Sequence, residues 1–267
     1  KSKQTSLKAS GLLTSPQYML QAYSPNKLAR VCLNTGENRT FEIRQFYYYR
    51  DSSTCVAPGD VVYVTGGSKR IDWVYKPINK VTKIDTKRDF AVTALPQMTH
   101  SKKRHASVYY QDYIYVVDDG DSTCERYSIS KNEWEPLPSF PRACLGVCLS
   151  VVESTSSLFA FGQTNTPHIQ RLDLKTLTWE VKEVTFPSID FFERVIHFKM
   201  REDLLYLARE DGVYAYNPTT NSVEVISKVE LSRINERACG RWFEGALYFF
   251  QENDWGYEMK RLEFSLP

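Results

Sequence analysis

The stretch YIYVVDDGDSTCERYSISKNEW, residues 113–134, contains the pattern that decides the fold. An apolar run at 113–117 is followed by a polar turn, a second run ends near Tyr127, and another turn leads to Trp134. Runs rich in β-branched and aromatic residues, separated by Asp, Asn, Ser and Gly, are typical of short antiparallel strands joined by hairpin turns. The stretch therefore predicts consecutive strands of one small sheet.

The same unit recurs along the chain. The aromatic residue within the apolar run is found six times, at Tyr18, Tyr63, Tyr115, Phe159, Tyr206 and Tyr248. The successive spacings are 45, 52, 44, 47 and 42 residues. This is the period of a propeller blade and is too long for ankyrin or tetratricopeptide repeats. Since no segment has the apolar stripe of a helix, we predict an all-β chain folded as a six-bladed β-propeller.

We predict a single domain over residues 1–267, with blades at roughly 7–45, 50–95, 103–140, 141–186, 192–228 and 236–266. Each blade is expected to contain four antiparallel strands. The last blade has only three evident strands, at 238–243, 246–251 and 257–264. It is therefore predicted either to be incomplete or to be closed by the N-terminal segment at 9–14.

Composition excludes several classes of function. The chain has 34 basic and 32 acidic side chains and a net charge of +2, so no overall field favours nucleic acid or an anionic membrane. No apolar run approaches the ~18 residues of a membrane span. The six cysteines lack metal-ligand spacing and are predicted to be reduced, mostly buried thiols. Because the chain begins at Lys1, we expect it to be a piece of a longer protein.

With this period, the sequence resembles the kelch-repeat family, whose repeat combines a Gly-Gly after the second strand with a Tyr and a Trp on later strands. Unit two contains Gly66-Gly67, unit three contains Tyr127 and Trp134, and unit four keeps Gly162 and Trp179. Units three, five and six have Asp118-Asp119, Arg209-Glu210 and Gln251-Glu252 where the glycine pair belongs. The resemblance is greatest to the C-terminal kelch domains of BTB–kelch proteins, and it implies a kelch-type propeller that binds a protein.

In BTB–kelch proteins the BTB region binds a cullin, and the kelch domain captures the protein to be ubiquitylated. The resemblance thus implies a cytoplasmic substrate adaptor of a ubiquitin ligase complex, with a protein or peptide ligand. Cullin would be bound only through a BTB region, which is not in this chain, and the fragment alone is expected to be monomeric. The alternative from another class is a cytoskeletal, actin-associated kelch scaffold.

Catalysis is the least favoured interpretation. A galactose-oxidase-like enzyme would need a copper site with His and Tyr ligands. The four histidines, His100, His105, His168 and His197, lie on separate units. The nucleophile-elbow, zinc-protease and phosphate-loop motifs are also absent from the sequence. We therefore predict a non-catalytic domain without a cofactor or a metal site.

Recurrent arginines are the first candidate binding residues. One precedes the first strand of five units: Arg50, Arg104, Arg142, Arg194 and Arg237. If each opens an inner strand, the five side chains surround one mouth of the central channel, where guanidinium groups would bind an acidic or phosphorylated peptide. The alternative is that each arginine pairs with a carboxylate of a neighbouring blade and only holds the blades together.

The loops after the second strands are the second candidate, because binding residues concentrate in loops on a rigid scaffold. The longest, at 68–79, contains Arg70, Trp73 and Tyr75. Trp and Tyr in a polar loop are favoured interface anchors, although Trp73 could instead fold back on its own blade. Trp255 and Tyr257 form a second, weaker candidate anchor in the last blade.

Overall fold

A computed structural model describes residues 17–23, 25–118, 120–163, 168–185, 195–198, 201, 203–209, 211–228, 238–253 and 256–263. Regular structure in these residues consists of strands β1–β24 and one 3₁₀ turn, Glu153–Thr155. The strands form the six antiparallel blades of a β-propeller, which confirms the predicted architecture. No helix in the described part of the chain is long and apolar enough to cross a membrane.

The first three blades take their strands from the N-terminal half of the chain. Blade 1 contains β1 (Tyr18–Tyr23), β2 (Lys27–Cys32) and β3 (Asn38–Glu42). Blade 2 contains β4 (Ser53–Ala57), β5 (Val61–Thr65), β8 (Val81–Asp85) and β9 (Ala91–Ala94), with a separate hairpin of β6 (Ser68–Ile71) and β7 (Val74–Pro77) inserted after β5. Blade 3 contains β10 (Ala106–Tyr110), β11 (Tyr113–Val117), β12 (Cys124–Ser128) and β13 (Glu133–Leu137).

The remaining blades follow the same plan. Blade 4 contains β14 (Leu145–Val152), β15 (Ser157–Gln163), β16 (His168–Asp173) and β17 (Thr178–Glu183). Blade 5 contains β18 (Ile196–Phe198), β19 (Leu205–Arg209), β20 (Gly212–Asn217) and β21 (Ser222–Ser227). Blade 6 contains β22 (Ala238–Phe243), β23 (Ala246–Asn253) and β24 (Gly256–Glu263), and its inner strand pairs in parallel with that of blade 5.

Tight turns between the two outer strands fix the register of the blades. Tyr127 lies opposite Trp134 in the β12–β13 pair, and its hydroxyl donates to Asn132 Oδ1 at 2.6 Å. Asn132 has a φ of 58°, a left-handed conformation that Asn tolerates better than most residues. Blade 5 repeats the device, with Tyr216 donating to Asn221 at 3.0 Å. The hydrogen bond from the repeated tyrosine to the turn asparagine thus stabilises the same turn in both blades.

The repeated tryptophan joins neighbouring blades. Trp134 Nε1 in blade 3 donates to the carbonyl oxygen of Pro96, in the linker from blade 2, at 2.8 Å. Trp179 in blade 4 makes the same contact with Pro138, in the linker from blade 3, also at 2.8 Å. The same proline–tryptophan hydrogen bond thus recurs at two successive blade boundaries.

Apolar side chains fill the spaces between blades and close the ring. Phe159 of blade 4 meets Tyr216 of blade 5 edge to face, with ring centroids 6.1 Å apart. Blade 6 packs on blade 1 through Phe250, which is clustered with Tyr23 and Val31. Arg241 of blade 6 also donates to the carbonyl oxygen of Tyr18 at 2.9 Å. The first and last blades therefore meet through side-chain packing.

The predictions about the first and last blades have different outcomes. The three strands expected in blade 6 are present as β22, β23 and β24. Blade 1 has three strands among the described residues, and the first part of its predicted range, 7–16, lies outside them. The segment at 9–14, expected to lie beside the last blade, is outside the described residues.

The cysteine prediction is confirmed for the described residues. Cys32, Cys55, Cys124, Cys144 and Cys148 are free thiols, and the middle three are buried. Burial raises the pKa of the Cys124 thiol to about 12, which keeps it protonated and unreactive near neutral pH.

Candidate partner-binding surface

A central cavity of about 1750 Å³ runs between the blades and is lined mainly by their inner strands. We call the end where the inner strands begin the upper face. The turn after the second strand of each blade lies at the same end, because the strands of a blade alternate in direction. The predicted arginines and the 68–79 segment therefore belong to one face if each occupies its expected position.

Arg50 and Arg104 line the upper mouth of the cavity, as predicted. The carbonyl oxygen of Arg50 accepts a hydrogen bond from the Ser68 amide at 2.6 Å, and the Arg50 side chain is exposed. The Arg104 amide donates to the Asp51 carbonyl oxygen at 3.0 Å, and its guanidinium Nε lies 3.7 Å from the Asp51 carboxylate. Arg104 thus partly fits the alternative interpretation, in which the arginine connects neighbouring blades.

Arg142 departs from the predicted ring. Its backbone N–H and carbonyl oxygen bind the Gln170 amide, at 2.8 and 2.6 Å, and its guanidinium lies 2.7 Å from Glu183. Gln170 and Glu183 belong to the third and fourth strands of blade 4, so Arg142 lies over the outer part of its blade and does not line the cavity. Arg194 and Arg237 are outside the described residues.

The predicted loop at 68–79 contains a β-hairpin. Strands β6 and β7 are joined by Asp72 and Trp73, whose φ angles are 49° and 65°. Positive φ at both central residues matches the twist of a two-residue hairpin turn. Every residue of the hairpin except Ser68 is exposed, so the element projects from blade 2.

Trp73 lies at the tip of the hairpin and 83% of its surface is exposed. It therefore does not fold back on its own blade. The Arg70 guanidinium lies over its ring at 4.3 Å from the centroid. A bulky residue in the left-handed region costs about 1 kcal/mol or more relative to glycine. The hairpin thus carries a large exposed ring at a position where glycine would be more stable.

One face of the hairpin is directed at the cavity. Arg70 lies opposite Tyr75 in the β6–β7 register, so both side chains are on the same face. The Arg50 guanidinium stacks over the Tyr75 ring at 5.3 Å, and all three residues line the cavity mouth. We call Arg50, Arg70, Trp73 and Tyr75 the hairpin surface. It brings together one member of the predicted arginine ring and all three candidates of the predicted loop.

Gly66 and Gly67 fix the direction in which the hairpin leaves the blade. Their φ angles are 55° and 107°, and a Cβ on Gly67 would lie 2.3 Å from Ser52 Oγ. The glycine pair therefore allows the chain to make a tight exit from β5. The Gly67 amide donates to the Lys102 carbonyl oxygen at 2.8 Å, and the Lys102 amide donates to that of Ile78 at 3.0 Å.

A buried charge cluster supports this base. The Lys102 side chain is fully buried, and its Nζ lies 3.8 Å from Glu125 and 3.9 Å from Asp118. It also donates to the Thr123 hydroxyl. Glu125 in turn accepts the Thr99 amide at 2.8 Å. The segment that joins blades 2 and 3 is thus held by ionic contacts to blade 3 while its backbone holds the hairpin.

His105 lies beside the same cluster. Its Nε2 is 2.8 Å from Thr65 Oγ1, and its Nδ1 is buried without a hydrogen-bond partner. Burial, together with the charge of Lys102, lowers the pKa of His105 to about 3. The imidazole is therefore neutral in the folded protein at ordinary pH.

An aromatic run before Arg50 was not singled out by the sequence patterns. Tyr47 is 59% exposed, and its ring lies 4.8 Å from that of Tyr49. Lys80 Nζ lies over the Tyr49 ring and donates to its hydroxyl at 3.1 Å. The alternation of buried Phe46 and Tyr48 with exposed Tyr47 was the available signal. These residues extend the aromatic character of the upper face beside the hairpin surface.

The second, weaker candidate anchor was predicted in the last blade. Tyr257 lies in β24, while Trp255 is outside the described residues. Within the described ranges, no group of three or more His, Cys, Asp or Glu side chains is arranged to hold a metal ion.

Comparison with known proteins assigns no family. No model of a protein family and no curated protein sequence matches the chain.

Proposed function

We propose that this chain is a protein-interaction domain that captures a partner on its upper face, with the hairpin surface as the principal contact. β-Propellers commonly serve as scaffolds for protein binding. The observation that carries the proposal is the exposed Trp73 on a well-defined hairpin. Exposed aromatic and arginine side chains next to a concave mouth are the residue types that dominate binding energy in protein interfaces.

The finer proposal is that the domain is the substrate-recognition module of a BTB–kelch ubiquitin ligase. Its support is the resemblance in repeat pattern, including Gly66-Gly67 and the Tyr127 and Trp134 pair. In this proposal the domain is non-catalytic and works in the cytoplasm, and a BTB region outside this chain binds the cullin. The captured protein would then be ubiquitylated, whereas a cytoskeletal scaffold would leave it unmodified.

Trp73→Gly should remove partner capture without harming the fold. Glycine suits the turn, and the lost indole is the exposed anchor, so we expect capture of the partner from cell extract to fall at least about tenfold. The melting temperature should stay the same or rise. Quantitative affinity capture with the immobilised domain measures the first effect, and thermal unfolding measures the second.

Arg142→Ala is the matched control, because this arginine lies away from the hairpin surface in an exposed ion pair. It should capture the partner as the unchanged domain does. Undiminished capture by Trp73→Gly would overturn the proposal. The ubiquitin-ligase proposal is tested by measuring whether the full-length protein, together with its cullin, ubiquitylates the captured protein. If no ubiquitylation is found, the ubiquitin-ligase proposal is wrong, whereas the proposal of a protein-interaction domain stands.

A further inference from the structure

Two arginines of the hairpin surface have no carboxylate partner among the described residues. Arg50 and Arg70 are both exposed, and each contacts an aromatic ring instead. Arg104 and Arg142, by contrast, face Asp51 and Glu183. Of the predicted arginines that the structure describes, the two without a carboxylate partner, Arg50 and Arg70, thus lie together on the hairpin surface at the cavity mouth.

Stacking prepares these two side chains for an anion. An aromatic ring covers only the flat face of a guanidinium, so the N–H donors in its plane stay available. Arg70 is held over Trp73 at 4.3 Å and Arg50 over Tyr75 at 5.3 Å. A carboxylate can accept two parallel hydrogen bonds from such a group. Its binding costs less side-chain entropy here than at a mobile arginine, which would first have to be ordered.

The hairpin also offers apolar area beside the charge. Tyr75, which lines the cavity mouth, is 43% exposed, and Trp73 at the tip of the hairpin is 83% exposed. Ile71 and Val74 lie opposite each other on the other face and are 40% and 58% exposed. Exposed aliphatic side chains suit contact with a protein chain, whereas single-stranded nucleic acid gains mainly from rings and cations. The hairpin sequence at 68–77 has three basic residues and one acidic residue, which favours an acidic partner.

We propose that the hairpin surface binds an acidic segment of a partner protein, with its carboxylates on Arg50 and Arg70 and an adjacent apolar side chain against Trp73 and Tyr75. This rests on the proposed function and adds the chemistry of the partner. The segment lies across the upper mouth of the cavity, which Arg50, Arg70 and Tyr75 line, with Trp73 at the tip of the adjoining hairpin.

The test uses the purified chain and fluorescent synthetic peptides, with binding followed by anisotropy. The probe alternates Glu with Leu. Its comparison peptides replace every Glu with Gln, or every Leu with Ser, or carry phosphoserine in place of Glu, and an oligothymidine strand represents nucleic acid. We expect the Glu–Leu peptide to bind most tightly and to weaken as salt is added.

The double variant Arg50→Gln/Arg70→Gln should bind the Glu–Leu peptide at least about tenfold more weakly than the unchanged chain. This corresponds to the loss of one or two charged hydrogen bonds. Arg142→Gln should leave its affinity unchanged. Equal binding of the Gln peptide, equal binding by the double variant, or tighter binding of the phosphopeptide or the oligothymidine would overturn the inference.

The proposed function can survive that result. If Trp73→Gly still abolishes capture of the cellular partner while the Glu–Leu peptide does not bind, the surface captures a protein but does not recognise an acidic segment. If capture is insensitive to Trp73→Gly, the proposed function fails whatever the peptides do. Melting temperatures of all variants verify that the propeller remains folded.

Discussion

Replacing Lys102 with alanine is expected to lower the free energy of unfolding by about 3–5 kcal/mol, the effect of removing one partner from a buried ion pair. The change would leave Glu125, whose side chain is only 2% exposed, without its cation. The adjacent Lys103→Ala is the matched control because Lys103 is exposed. Urea unfolding of the two variants measures the difference.

A double variant separates the charge effect from simple loss of volume. Lys102→Met/Glu125→Gln keeps the size of both side chains and removes both charges. It should be more stable than Lys102→Met alone, because the more deeply buried of the two carboxylates that face Lys102, Glu125, is then not left charged without its cation. A Lys102→Ala variant as stable as Lys103→Ala would contradict the structural role given to this cluster.

Acidification is expected to destabilise the domain through His105. The unfolded chain binds a proton at this site near pH 6.5, whereas the folded chain resists protonation until about pH 3. The free energy of unfolding therefore falls as the pH drops through this window, by up to about 1.4 kcal/mol per pH unit. His105→Gln removes this proton uptake and should flatten the profile.

The comparison is cleanest between about pH 6.5 and 5, where the carboxylates with ordinary pKa values remain largely ionised. His100→Gln serves as the control, since His100 is exposed. It should retain the slope of the unchanged chain. An identical slope for His105→Gln and the unchanged chain would show that His105 is not the group responsible.

Lys102 and His105 are expected to support the base of the hairpin as well as the stability of the fold. The backbone of Lys102 binds Gly67 and Ile78 on either side of the hairpin, and Gly66 packs close to His105. Loss of the buried contacts would therefore free the base of the hairpin before the ring of blades opens. The binding surface and the buried polar cluster are in this sense one structural unit.

The architecture was predictable because propeller blades repeat local information. Tyr63, Tyr115, Tyr206 and Tyr248 lie in the second strand of their blades and are buried, as the period requires. The Tyr127 and Trp134 pair lies on the two outer strands. Each of these features depends on residues within one repeat, where strand periodicity and turn chemistry are directly visible.

The site was only partly predictable because its contacts depend on distant residues. The Asp72-Trp73 turn lacks the glycine that usually signals such a hairpin, so a hairpin appeared in the sequence as a loop. Lysine is rarely buried, and the partners of Lys102 lie on another blade. Arg142 precedes the first strand of its blade as Arg104 does, but the Gln170 amide holds its backbone over the outer strands.

Hydrogen–deuterium exchange of the domain with and without its captured partner tests most directly whether a partner protein binds at the hairpin surface. Binding should slow exchange of the amides in Ser68–Ile71 and Val74–Pro77 and leave the opposite ends of blades 2 and 3, in the turns at Asp60 and Gln111, unchanged. Protection at Asp60 and Gln111 with unaltered exchange in the hairpin would contradict the claim.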